Sequence, residues 1–70
     1  MGEQTETVGE ALPREQARCR ELLTEYVAIG PAGAFGTFMI KAALKRADQA
    51  VMSGDVVAML RSLADLRGFK

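Results

Sequence analysis

Seventy residues at 7.5 kDa hold one small domain, because domains generally run to roughly 100–150 residues, and most enzyme architectures are thereby excluded. With one cysteine and no histidine, neither an intrachain disulfide nor an ordinary zinc ligand set can reinforce so small a core. Self-association or partner binding is the staple that remains.

The composition, 49% hydrophobic and 26% charged, is that of a folded chain, not of one disordered throughout. Nine basic residues balance nine acidic ones, which argues against a dedicated nucleic-acid binder, since phosphate neutralisation needs a basic excess. The balance hides an asymmetry. Residues 1–30 carry six Glu and three Arg, whereas residues 31–70 carry three Lys, three Arg and three Asp. Complementary halves favour antiparallel packing, within a chain or between chains. No apolar run approaches the ~20 residues of a membrane span, and the acidic start from Met1 to Glu10 is the opposite of a secretory leader. A cytoplasmic protein without a membrane partner is expected.

In chain order, Met1 to Ala11 reads as a disordered acidic tail, polar and interrupted by glycine. Residues 12–70 form the helical domain. Pro13 followed by Glu15 predicts a helix start, the proline where its missing N–H costs nothing and the acid facing the dipole. The first helix should run to about Ile29 and bury Leu12, Cys19, Leu22, Leu23, Tyr26 and Val27, with Arg14, Arg18, Glu21 and Glu25 on the other side. Cys19 in that stripe reads as a small buried hydrophobe, with no histidine to activate it.

Gly30-Pro31 breaks the first helix, because the residue before a proline is pushed out of the α region. A second helix is predicted from Pro31 or Ala34 to Ser53. Gly54 then suits a left-handed C-terminal cap and Asp55 the next N-cap, opening a third helix over Val56 to Arg67. Val56, Met59, Leu60, Leu63 and Leu66 share one face of it, with Arg61, Ser62 and Asp65 opposite. The expected architecture is all-α, a short hairpin of two to three helices that pairs as a homodimer.

The middle helix carries two apolar stripes. One is Gly36, Ile40, Ala43, Leu44, Ala47, Ala50 and Val51. The other, Phe35, Phe38, Met39 and Ala42, is displaced from it by roughly 100° on a helical wheel. Three short helices cannot easily cover both. Phe35, Phe38 and Met39, with Tyr26 and Ile29 nearby, therefore read as a partner-binding patch of the composition enriched at interface centres. Arg18, Lys41 and Lys45 are its candidate rim charges.

Other motifs lead away from catalysis. Gly30, Gly33 and Gly36 in GPAGAFG lack the strand and the Gly-Lys-Ser/Thr arrangement of a phosphate loop, and read instead as a tight corner. No carboxylate pair sits in an apolar setting suited to acid-base work. No enzyme activity, cofactor or metal is expected. Arg46 to Asp65 partly fits a helix-turn-helix through Ala50, Gly54 and Leu60. A small DNA-binding regulator is therefore the alternative function, although the recognition helix would offer one base among Val57, Ala58, Arg61, Ser62 and Asp65.

Glu15 to Leu23 (EQARCRELL), Ile29 to Gly36 (IGPAGAFG) and Ser53 to Leu60 (SGDVVAML), in this order, resemble the small early proteins of Mu-like Pseudomonas phages, the family that includes a phage-encoded quorum-sensing anti-activator. The resemblance covers roughly residues 8–67. It implies a dimeric helical hairpin that binds the DNA-binding domain of the host LuxR-type activator LasR and keeps it off promoters. It also implies a second host target, the type IV pilus assembly ATPase. On the same ground Tyr26 becomes the leading contact residue. Thr37 to Lys41 (TFMIK) matches least closely, and partner choice is expected to be written there.

Overall fold

A computed structural model describes residues 6–70. Three helices, α1 (Val8–Ile29), α2 (Ala34–Ser53) and α3 (Val56–Arg67), follow one another, with a short 3₁₀ turn at Gly30–Gly33 between the first two. The fold is all-α.

Helix α1 begins earlier than Pro13. Thr7 is the N-cap, its side chain accepting from the Glu10 backbone N–H while Glu10 reaches back to the Thr7 N–H. This reciprocal capping box satisfies two of the four donors a helix start leaves open. Ala11 and Leu12 are buried in the core, so residues 8–11 belong to the domain and not to the acidic tail. Residues 1–5 of that tail lie outside the described residues. Pro13 sits inside α1 and denies Gly9 its helical hydrogen bond; Gly9 is exposed, which leaves its carbonyl to water.

The other boundaries fall where the glycines and caps put them. Gly30 (φ 82°) and Gly54 (φ 69°) adopt left-handed backbone angles that other residues resist. Asp55 caps α3 by accepting from the Ala58 N–H at 3.1 Å.

Contacts fix the topology. Gln16 on α1 meets Asp48 on α2, while Tyr26 lies against Gly36, so α1 and α2 run antiparallel. Arg46 faces Asp65 near one end of the α2–α3 pair, and Ser53 and Ala58 line the same cleft near its turn, so this pair is an antiparallel hairpin too. The core is Leu12, Cys19, Ile40, Ala43, Leu44, Ala47, Leu63 and Leu66 with Ala11. Leu12, Ile40 and Leu66 are wholly buried, each contributing about 1.5–3 kcal/mol. The alanines of α2 let its neighbours approach closely.

An 18-residue stretch of mean hydropathy 1.5 with at most two charges lies within Val8–Ser53. The charges of α1 (Arg14, Glu15, Arg18) and of α2 (Lys41, Lys45, Arg46, Asp48) force such a stretch to run across the Gly30–Gly33 bend, where the chain reverses. It is not one straight rod.

The wheel drew the core too wide. Val27, Val51, Val56 and Leu60, expected inside, are each about half exposed. Ser62, expected on the polar side of α3, is buried. Three short helices in contact cover only a narrow arc of each, so residues at the stripe edges stay in solvent.

The α1–α2 corner depends on two glycines. An added Cβ on Gly33 would overlap the backbone carbonyl of Tyr26, whereas one on Gly36 would overlap the Tyr26 ring. A ring can swing aside and a backbone carbonyl cannot. Gly33→Ala is therefore expected to cost more than about 2 kcal/mol and Gly36→Ala less, roughly 1–2 kcal/mol. Urea denaturation of both variants checks the order.

Candidate functional site

The outward side of α2 carries the largest exposed apolar side chains near the corner. Phe35 is 76% and Phe38 66% exposed, with Ile29, Val27 and Met39 also open to solvent. An open groove of about 520 Å³ runs beside Phe38 between the end of α1 and the start of α2, lined by Val27, Pro31, Ala34, Thr37 and Lys41. Gly30-Pro31 forms its floor by turning the chain, and α2 supplies one wall at helical spacing. Exposed apolar residues are ordinary singly; of these five, Val27 and Phe38 line the groove.

Not every predicted site residue belongs to this surface. Tyr26 is half-buried and turned inward; its ring packs on Gly36 and the core, and its hydroxyl donates to the Lys70 carbonyl at 3.4 Å. It supports the corner from beneath. Arg18, proposed as a rim charge, lies nine residues before Val27, on the opposite side of α1. Its Nε bonds Glu15 Oε1 at 2.7 Å and its Nη2 donates to the Leu66 carbonyl at 2.8 Å. The same carbonyl also accepts from the Phe69 N–H at 3.2 Å, so Arg18 adds a charge-assisted donor to it. Lys41 borders the groove. Lys45 stands one turn further along α2, exposed like Lys41. Neither lysine makes an ion pair among the described residues.

Sequence reasoning missed a second exposed group, Val51, Met52, Val56, Val57 and Leu60, around the α2–α3 turn. Met52, 86% exposed, is the clearest member. Its polar neighbours Gln49 and Ser53 were the available signal.

Cys19 is fully buried, with its sulfur 3.5 Å from the Leu66 carbonyl. Burial pushes the thiol's pKa up, against a smaller opposing pull from Arg18. A second cleft of about 470 Å³, between α2 and α3, is lined by Arg46, Gln49, Ser53, Arg61, Ser62 and Asp65, with Arg46 and Asp65 3.8 Å apart. Among the described residues no three potential metal ligands converge.

Compared with protein-family models, with curated proteins and with solved structures, the chain matches none of them.

Two outcomes follow from this geometry. Arg18→Ala should destabilise the protein by about 1–2 kcal/mol through the lost charge-assisted bond to Leu66, measured by chemical denaturation. The Cys19 thiol should resist a disulfide reagent until the protein unfolds. Its folded pKa is raised, so this stabilising contribution is complete below the unfolded thiol's range and declines as pH rises through the folded value. Stability measured from neutral to strongly alkaline pH checks the sign, with Cys19→Ala as the reference.

Proposed function

We propose that this protein is a non-enzymatic inhibitor that docks its α2 corner onto a helical domain of a host regulator in the bacterial cytoplasm. The observation that carries the reading is the open apolar groove at Phe38 and Val27, with Phe35 and Ile29 also exposed. Burying such a cluster supplies the hot-spot share of a binding energy, while rim charges act mainly on rate. The resemblance noted in the sequence directs the proposal to the DNA-binding domain of a LuxR-type activator, LasR, and to the pilus assembly ATPase as a second target. Occupying the DNA-binding domain keeps it off its promoter by bulk.

Homodimerisation belongs to the same proposal. What supports it is the second exposed group at the α2–α3 end, where Val56, Val57 and Leu60 remain uncovered in a single copy. The alternative of direct DNA binding by α3 is disfavoured by an exposed face that mixes Val57 and Leu60 with Arg61, Asp65 and Arg67.

Calorimetric titration of the activator's DNA-binding domain with the protein should give a complex that Phe38→Ala weakens by at least ~2 kcal/mol, the hot-spot scale, with the helical circular dichroism intact. Unchanged affinity in Phe38→Ala rules out the groove. Light scattering after gel filtration tests the dimer, which a monomer mass at micromolar concentration would exclude.

A further inference from the structure

We infer that the partner segment on the outward face of α2 is an amphipathic helix with apolar residues at its two ends and acidic residues between them. This deepens the docking reading above and rests on it. Ala34, Phe38, Lys41, Lys45, Gln49 and Met52 follow one another at steps of three or four residues, so they form one row along the helix. All six are exposed. The row is apolar at Phe38, basic at Lys41 and Lys45, and apolar again at Met52, a length of about 21 Å at 1.5 Å per residue. At the Phe38 end it widens into the groove with Val27 and Pro31.

Charge selects the occupant. Neither lysine has an ion-pair partner among the described residues. The acid that borders the row, Asp48, is held by Gln16 at 2.8 Å and Arg20 at 3.3 Å. Two ammonium groups one turn apart repel each other, and carboxylates laid across them remove that repulsion while the apolar ends bury Phe38 and Met52. A second copy fits this row poorly. Antiparallel pairing of α2 on α2 that opposes Phe38 with Met52 sets Lys45 directly against the Lys45 of the other copy, with Lys41 about one turn to either side. A basic segment is rejected for the same reason. DNA-reading surfaces are basic, so within an activator's DNA-binding domain the docked element is an acid-faced helix other than the recognition helix.

The test uses the full-length protein and two labelled 18-residue helical peptides. Both carry leucines at the two ends of one face, one with glutamates between them and the other with lysines. Fluorescence anisotropy should show the glutamate peptide binding at least about tenfold tighter, a difference of 1.4 kcal/mol, with the preference shrinking as salt rises. Phe38→Ala should weaken it about tenfold. Lys41→Glu/Lys45→Glu should invert the preference, so that the lysine peptide becomes the tighter ligand; both positions are exposed, and circular dichroism confirms the fold. Equal binding of the two peptides, no binding of the glutamate peptide, or an affinity unmoved by charge reversal overturns the inference. So does a dimer in the wild type that charge reversal strengthens, because a second copy would then be the occupant. If the peptides behave as expected but the activator domain does not bind, the named host target falls and this inference stands. If that domain binds through Phe38 and charge reversal tightens it, the inference falls and the docking reading stands.

Discussion

The close approach of α2 to the end of α1 governs this molecule. Gly33 lies against the Tyr26 carbonyl and Gly36 against the Tyr26 ring, and only residues without a Cβ allow helices to meet that tightly. Tyr26 thereby fills the inside of the corner, and the residues around the bend are left outside. Val27 and Phe38 face solvent there. The groove lies where the chain turns at Gly30-Pro31.

At the far end of the bundle a different bond closes the structure. Helix α3, twelve residues long, is too short to be stable by propensity alone. Leu63 and Leu66 anchor it in the core, and Arg18, steadied by Glu15, ties its last turn to α1 through the Leu66 carbonyl. The same carbonyl lies against the Cys19 sulfur, so the buried thiol is part of the joint and is shielded from reagents. A charge that sequence position suggested for an interface is employed inside the molecule.

Much of the fold was legible in the residues, for identifiable reasons. Gly30-Pro31, Ser53-Gly54-Asp55 and the 3.6-residue spacing of Ile40, Ala43, Leu44 and Ala47 mark the bend, the turn and the inner face of α2. The start of α1 was not read correctly because Pro13 is the louder signal. The Thr7–Glu10 box, which decides the matter, is audible only when the three-residue spacing is sought. The exposed patch was legible at Phe35 and Phe38, since two stripes on one helix exceed what two neighbours can cover. The role of Tyr26 was not, because spacing places a ring on a face without saying which glycine it will meet. Val51, Val56 and Leu60 misled for a related reason: a wheel assigns a side, while burial depends on the width of the contact.

The division of labour along α2 has an evolutionary consequence. Its inner positions, Ile40, Ala43, Leu44 and Ala47, hold the bundle together, and its outward row is exposed. Changes in one set leave the other undisturbed. Drift is therefore expected to run more freely along that row than along the inner one, because surface changes usually cost no more than about 0.5 kcal/mol, whereas core truncations cost several times as much.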